Sequence, residues 1–159
     1  MRNITFLFVI LLFVGCGERD AVNHPELENL AGKQLETIRS PDSVVVKRIS
    51  TTVSGEQSLS DFQPLTGKKL TEIQNMLLDI DSYDWKTSKD CLRVPGILIQ
   101  FSKGSNQSEI RICFECTMLG FAPGEWEDFD PIETKLISWA QSVFPNDDDI
   151  QSLNQIRDR

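Results

Sequence analysis

Histidine is almost missing from this chain: among 159 residues only His24 carries an imidazole. A Ser-His-Asp triad would have to borrow that one residue from a polar stretch near the front of the chain, so histidine-based hydrolysis has little to stand on. Glycines are scattered, and Gly67 and Gly104 stand alone at helix-start and turn positions, so no glycine-rich loop is present to cradle a phosphate. No Cys-x-x-Cys-His occurs, which excludes covalent haem attachment by that motif. Positive charge is also short. Lys and Arg number 16 against 24 Asp and Glu, a net charge of −8. An acidic surface argues against nucleic acid and against docking on anionic lipid through basic residues.

Long apolar runs are absent after Val14, and the one before it decides the address. Met1-Arg2-Asn3 is a short, singly basic start, and Ile4 to Val14 reads "ITFLFVILLFV". Charge followed by an apolar stretch is the design of a secretory signal. A helix of about 11 residues is roughly 16 Å long at 1.5 Å per residue, against a hydrocarbon core of ~30 Å. Such a segment does not span a bilayer as an ordinary transmembrane helix.

The signal runs straight into "FVGCG". This resembles the lipobox of bacterial lipoproteins, with Phe13 where that family usually has leucine. The resemblance covers residues 1 to 17. It implies cleavage after Gly15, a diacylglyceryl thioether on Cys16 and acylation of the new amino end. Each buried methylene contributes about 0.8 kcal/mol, so three chains would hold the protein on the membrane without measurable release. Gly17 stands where the family's inner-membrane retention signal would place Asp, which implies the outer membrane, facing the periplasm. Removing residues 1–15 takes away Arg2 and leaves 15 basic against 24 acidic residues, a mature charge of −9.

The remainder divides at about residue 42. Residues 16–42 read as a lipidated N-terminus and polar tether with one helical segment over Glu26 to Arg39. Residues 43–159 read as a single domain of ordinary size. "SVVVKRIS" from Ser43 is β-branched and predicts a strand. Leu70, Ile73, Met76 and Leu77 recur at helical spacing, predicting a helix over about 68–79 with Thr66 as N-cap. Ile97, Ile99 and Phe101 alternate, as do Ile110, Ile112 and Phe114, on either side of "KGSN". A two-residue type II′ turn at Gly104-Ser105 sets Ile97 opposite Ile112, Ile99 opposite Ile110 and Phe101 opposite Ser108, within a hairpin over about 97–116. "DPIE" resembles a capping box with Asp130 as N-cap and opens a helix over about 131–144. A short final helix is expected over Asp147 to Arg157. The order predicts an α+β domain: a small, mainly antiparallel sheet packed by helices.

Three cysteines remain beyond Cys16. If the strand stays regular through Cys116, Cys113 and Cys116 face opposite ways about 10 Å apart, too far to bond. Continuing the hairpin register sets Arg93 opposite Cys116 and Cys91 opposite Met118. Cys91 and Cys116 then share a face about 7 to 8 Å apart, a gap that a bulge at Pro95-Gly96 closes. A Cys91–Cys116 disulfide is therefore expected, closing about 25 residues and contributing roughly 3 kcal/mol, with Cys113 left over on the far face.

Two other readings of the thiols stay open. One is a thiolate metal site of Cys91, Cys113 and Cys116, whose fourth ligand is not apparent. The other is a redox Cys-x-x-Cys, against which Glu115 pushes the thiol pKa up rather than down. Asp147, Asp148 and Asp149 read as a solvated helix-capping cluster rather than a cation site, since their spacing is not that of an EF-hand loop.

Taken together, "CLRVPGILIQF", "IRICFEC" and "FDPIETKLISWAQSVFPNDDDIQSL" resemble a set of uncharacterised bacterial secreted and lipoprotein-like sequences carrying Cys-x3-Pro-Gly and Cys-Phe-x-Cys. That resemblance spans about residues 66 to 157. It brings no activity, and it implies that Cys91, Cys113 and Cys116 form one spatial group. The expectation is a non-enzymatic lipid-anchored envelope protein with no cofactor beyond the lipid on Cys16. Its partners would be the membrane, through that anchor, and another envelope component.

Overall fold

β-branched and aromatic runs build the sheet, and helical-period runs cover one face of it. The computed structural model describes residues 25–32, 34–51, 57–87, 89–92, 94, 96–122 and 125–156. The leader, Cys16 and His24 lie outside the described residues, as do Arg93, Pro95 and Arg157. The strands are β1 (Ser43–Thr51), β2 (Gln57–Leu59), β3 (Gln63–Pro64), β4 (Ile97–Lys103), β5 (Asn106–Cys113), β6 (Met118–Ala122) and β7 (Glu125–Asp128). They pair antiparallel in the order β2-β1-β4-β5-β6-β7, with β3 also on β1. The fold is α+β, as the order of sequence patterns predicts.

The central hairpin has the expected register. Ile97 pairs with Ile112, Ile99 with Ile110, Phe101 with Ser108 and Lys103 with Asn106. Gly104 takes φ 56° and is the turn residue in the left-handed region, as a type II′ turn requires. Its amide also donates to Asp42 Oδ2 at 2.7 Å, which ties the turn to the start of β1.

The period of two sorts the faces. Val44, Val46, Ile97, Ile99, Phe101, Ile110, Ile112, Leu119 and Phe121 are buried on the helix side. Gln100, Glu109 and Arg111 alternate with them on the other side and meet solvent. Helices α3 (Gly67–Leu78) and α4 (Glu133–Val143) bring Ile73, Leu77, Leu136, Ala140 and Val143 to the core. Both match the predicted spans to within a few residues.

Four local details differ from the sequence expectation. Helices α1 (Pro25–Ala31) and α2 (Gln34–Arg39) occupy the expected helical segment, but they do not trail from the domain. Leu27, Ala31, Leu35 and Ile38 are buried in the main core, so the packed body includes α1 and α2, ahead of Ser43. Four apolar residues look sparse in sequence and suffice when a sheet face is already there to receive them.

At the start of α4, Asp130–Ile132 forms a 3-10 turn, and α4 proper begins at Glu133. The Asp130 carboxylate caps nothing there, because Lys89 and Thr117 hold it. Strand β5 ends at Cys113 rather than running to Cys116. The final helix is two short ones, α5 (Asp148–Gln151) and α6 (Leu153–Ile156), with Asp147 as the cap accepting from the Ile150 amide at 3.0 Å.

Candidate functional site

Three features compete for attention: the cysteine cluster, a charged clasp beside it, and a groove between α3 and α4. At the cysteines the chain turns where the sequence pattern predicts a strand. Residues 114–117 form a four-residue loop between the paired Cys113 and Met118. Thr117 closes it at φ 52°, a left-handed conformation that is uncommon for any β-branched residue.

The turn moves Cys116 onto the same side of the sheet as Cys113. Cys91 and Cys116 form a disulfide with Cα atoms 6.3 Å apart and a sequence separation of 25. Cys113, Cys116 and Met118 make a small buried cluster away from the main core, flanked by Cys91 and Trp126. The placement of Cys113 on the far face from Cys116 is therefore corrected. That placement assumed unbroken alternation through residue 116, and the alternation stops at 113.

Among the described residues Cys113 is the free thiol, and it is fully buried. Burial pushes its pKa up, since a thiolate there would lose its water. Backbone N–H groups of Cys116, Val94 and Glu115 donate toward the sulfur and oppose that rise, while the Glu115 carboxylate adds to it. With two of the three sulfurs joined, one thiol rather than three is available to a metal. Among the described residues no three Cys, His, Asp or Glu side chains converge as a metal site.

The clasp lies on the segment leading into Cys91. Lys89 Nζ sits 2.8 Å from Asp128 Oδ2 and 2.6 Å from Asp130 Oδ1. Asp128 is completely buried, and its other oxygen accepts the Asp130 amide at 2.8 Å. The Thr117 hydroxyl donates to Asp130 Oδ1 at 2.5 Å and accepts from Lys89. Burial alone would lower the Lys89 pKa, but hydrogen bonds to Asp128 and Asp130 outweigh it and raise the value. Lys89 is thus held protonated. A Thr-Lys nucleophile pair needs a neutral amine as base, and this one is locked as a cation. The cluster fastens the segment before Cys91 to the end of β7.

Nothing in the sequence pattern announces this clasp. Asp128 and Asp130 sit in "EWEDFD", which looks like one acidic stretch, and Lys89 is 41 residues from Asp130. Asp147 and Asp149 find a similar use. They pair with Arg48 at 3.1 and 3.6 Å, and Arg48 also donates to the Gly96 carbonyl at 2.7 Å. The acidic run therefore anchors α5 to β1.

The groove runs between α3 and α4 with a volume of about 760 Å³. Met76, Ile132 and Trp139 line its floor, and Lys68, Lys69 and Lys135 stand on its rim. Small side chains on α4, Thr134, Ser138 and Ser142, keep that wall low. Trp139 Nε1 donates to the Lys69 carbonyl at 2.9 Å, fixing the two helices across the groove. The three lysines share the lining with Glu72 and Asp79, and Lys68 pairs with Glu72 at 3.5 Å, so the groove carries a small net positive charge on an acidic protein. No helix among the described residues is long and apolar enough to cross a membrane. Family models, curated proteins and solved structures offer no match to this chain.

Proposed function

We propose that this protein is a lipid-anchored, non-catalytic binding module of the bacterial cell envelope, held at Cys16 to the outer membrane and facing the periplasm. The α3–α4 groove is its ligand-facing surface. The observation that carries the binding half is that groove: preformed, apolar at its floor and rimmed by Lys68, Lys69 and Lys135. Concave apolar surface with a few convergent charges is the ordinary form of a binding site. The anchoring half rests on the "FVGCG" leader. Its envelope partner would present an apolar group beside negative charge.

Two measurements test the two halves separately. Anilinonaphthalene sulfonate, an anionic amphiphile that fluoresces in apolar surroundings, should bind saturably to the folded protein. Ser138→Trp, which fills the groove, should abolish that signal with the circular dichroism unchanged. An unaltered titration in Ser138→Trp removes the groove from consideration. Radiolabelled palmitate should enter the protein in its native host and should not enter Cys16→Ser. An unlabelled wild-type protein ends the anchor reading while leaving the groove standing.

The thiolate metal alternative has less support, because Cys91 and Cys116 are already joined. Zinc binding would require their reduction first, and metal analysis with and without reductant distinguishes the cases.

A further inference from the structure

We propose that Cys113 is an internal exchange thiol: it displaces Cys91 from the Cys91–Cys116 disulfide, leaving a Cys113–Cys116 bond in the hairpin loop and a released Cys91 thiol at the surface. The inference depends neither on the anchor nor on the α3–α4 groove.

Position makes the exchange available. Cys113 and Cys116 belong to one tight turn, and the Cys116 amide donates to the Cys113 sulfur. The disulfide and the free thiol share one small buried cluster, so attacker and target belong to the same packed group. In the exchange the Cys113 thiolate attacks Cys116 Sγ. A Cys113–Cys116 bond forms as the Cys91–Cys116 bond breaks, and the electron pair leaves on the Cys91 sulfur. The proton given up by Cys113 is matched by the one Cys91 takes from water. One disulfide is present before and after, so neither oxidant nor reductant is consumed.

Exposure sets the direction of attack. The better leaving group is the thiol with the lower pKa, and a sulfur near water forms a thiolate more readily than a buried one. Cys116 is 7% exposed, whereas Cys91 is only partly buried and precedes Leu92, which is 84% exposed. Expelling Cys91 is therefore easier than expelling Cys116. Lys89, two residues upstream, keeps the released segment near the hairpin through Asp128, so the step is reversible. The resulting thiol stands beside an exposed leucine and suits attack on a disulfide in an approaching protein. Burial keeps Cys113 protonated near neutrality, so the exchange accelerates as pH rises.

N-ethylmaleimide, applied to the folded oxidised protein between pH 6 and pH 9, tests this. Cleavage after Glu115 and mass spectrometry then locate the adduct and the disulfide. The expected result is an adduct on Cys91, peptides linked through Cys113–Cys116, and a labelling rate rising about tenfold per pH unit, as a thiolate attack requires. Cys113→Ser should abolish Cys91 labelling and keep the Cys91–Cys116 bond. An adduct on Cys113 with Cys91–Cys116 intact overturns the proposal, as does no adduct across the whole range. Equal labelling of Cys91 in Cys113→Ser overturns it too. The wild-type pattern decides the matter even where Cys113→Ser fails to fold.

Discussion

Lys89 reaches the fully buried carboxylate of Asp128 at 2.8 Å from a segment with no regular secondary structure, two residues before Cys91. The ion pair and the disulfide therefore fasten the same stretch of chain to the same corner of the sheet, one electrostatically and one covalently. Removing one partner of a buried pair strands the other charge, which typically costs 3–5 kcal/mol. Lys89 is itself 24% exposed, which lets water reach the pair and places the effect at the low end. Lys89→Met should lower the unfolding free energy by about 3 kcal/mol in urea titration. Adding Asp128→Asn should restore part of the loss, because the stranded charge is then gone.

The acid side of the stability profile should carry the signature of Asp130. Burial alone would raise its pKa, but hydrogen bonds from Lys89 and Thr117 outweigh that and lower it. A carboxyl depressed on folding stabilises above its unfolded pKa, about 3.9. That contribution is lost as pH falls through the lower folded value. Lys89, raised on folding, contributes below its unfolded value of about 10.4 and loses that contribution only at higher pH. The clasp should therefore be constant between about pH 5 and pH 10. Stability should fall more steeply below about pH 4 in wild type than in Asp130→Asn. Asp130 is half exposed, so solvent screening keeps the difference under about 1 kcal/mol.

Loss of the disulfide should be felt without loss of the fold. With a sequence separation of 25 between the cysteines, the chain-entropy argument gives about 3 kcal/mol. Reduction, or Cys91→Ala, should lower Tm by about 9 °C for a chain of this size. Calorimetry in the presence and absence of reductant measures it. An unchanged Tm would mean that the sheet and the Lys89–Asp128 pair hold the corner without the disulfide.

Gly120 and Trp126 are opposite each other across β6 and β7. A Cβ placed on Gly120 would meet the Trp126 ring at 3.0 Å. Gly120→Val should therefore push the indole outward and destabilise by about 1–3 kcal/mol, the usual range for overpacking. Because Trp126 flanks the cysteine cluster, the displacement should also red-shift the tryptophan emission and expose Cys113 to thiol reagents. Emission spectra and thiol titration of the same sample check both.

The amino-acid sequence by itself determined the elements whose pattern is local. The hairpin register from Ile97 to Ile112 follows from alternation and one turn glycine, and both major helices follow from apolar residues at helical spacing. Tertiary structure decided the rest. Leu27, Ala31, Leu35 and Ile38 are too few to declare a packed helix pair until a sheet face exists to receive them. The end of β5 at Cys113 carries no glycine, proline or asparagine signal. The loop there is Phe-Glu-Cys-Thr, and only packing obliges Thr117 to adopt φ 52°. The Lys89, Asp128, Asp130 and Thr117 clasp joins three separate segments, the farthest pair 41 residues apart. Periodicity reports which side of an element faces inward. It carries no information on which distant charge will arrive there, because that depends on how the chain closes upon itself.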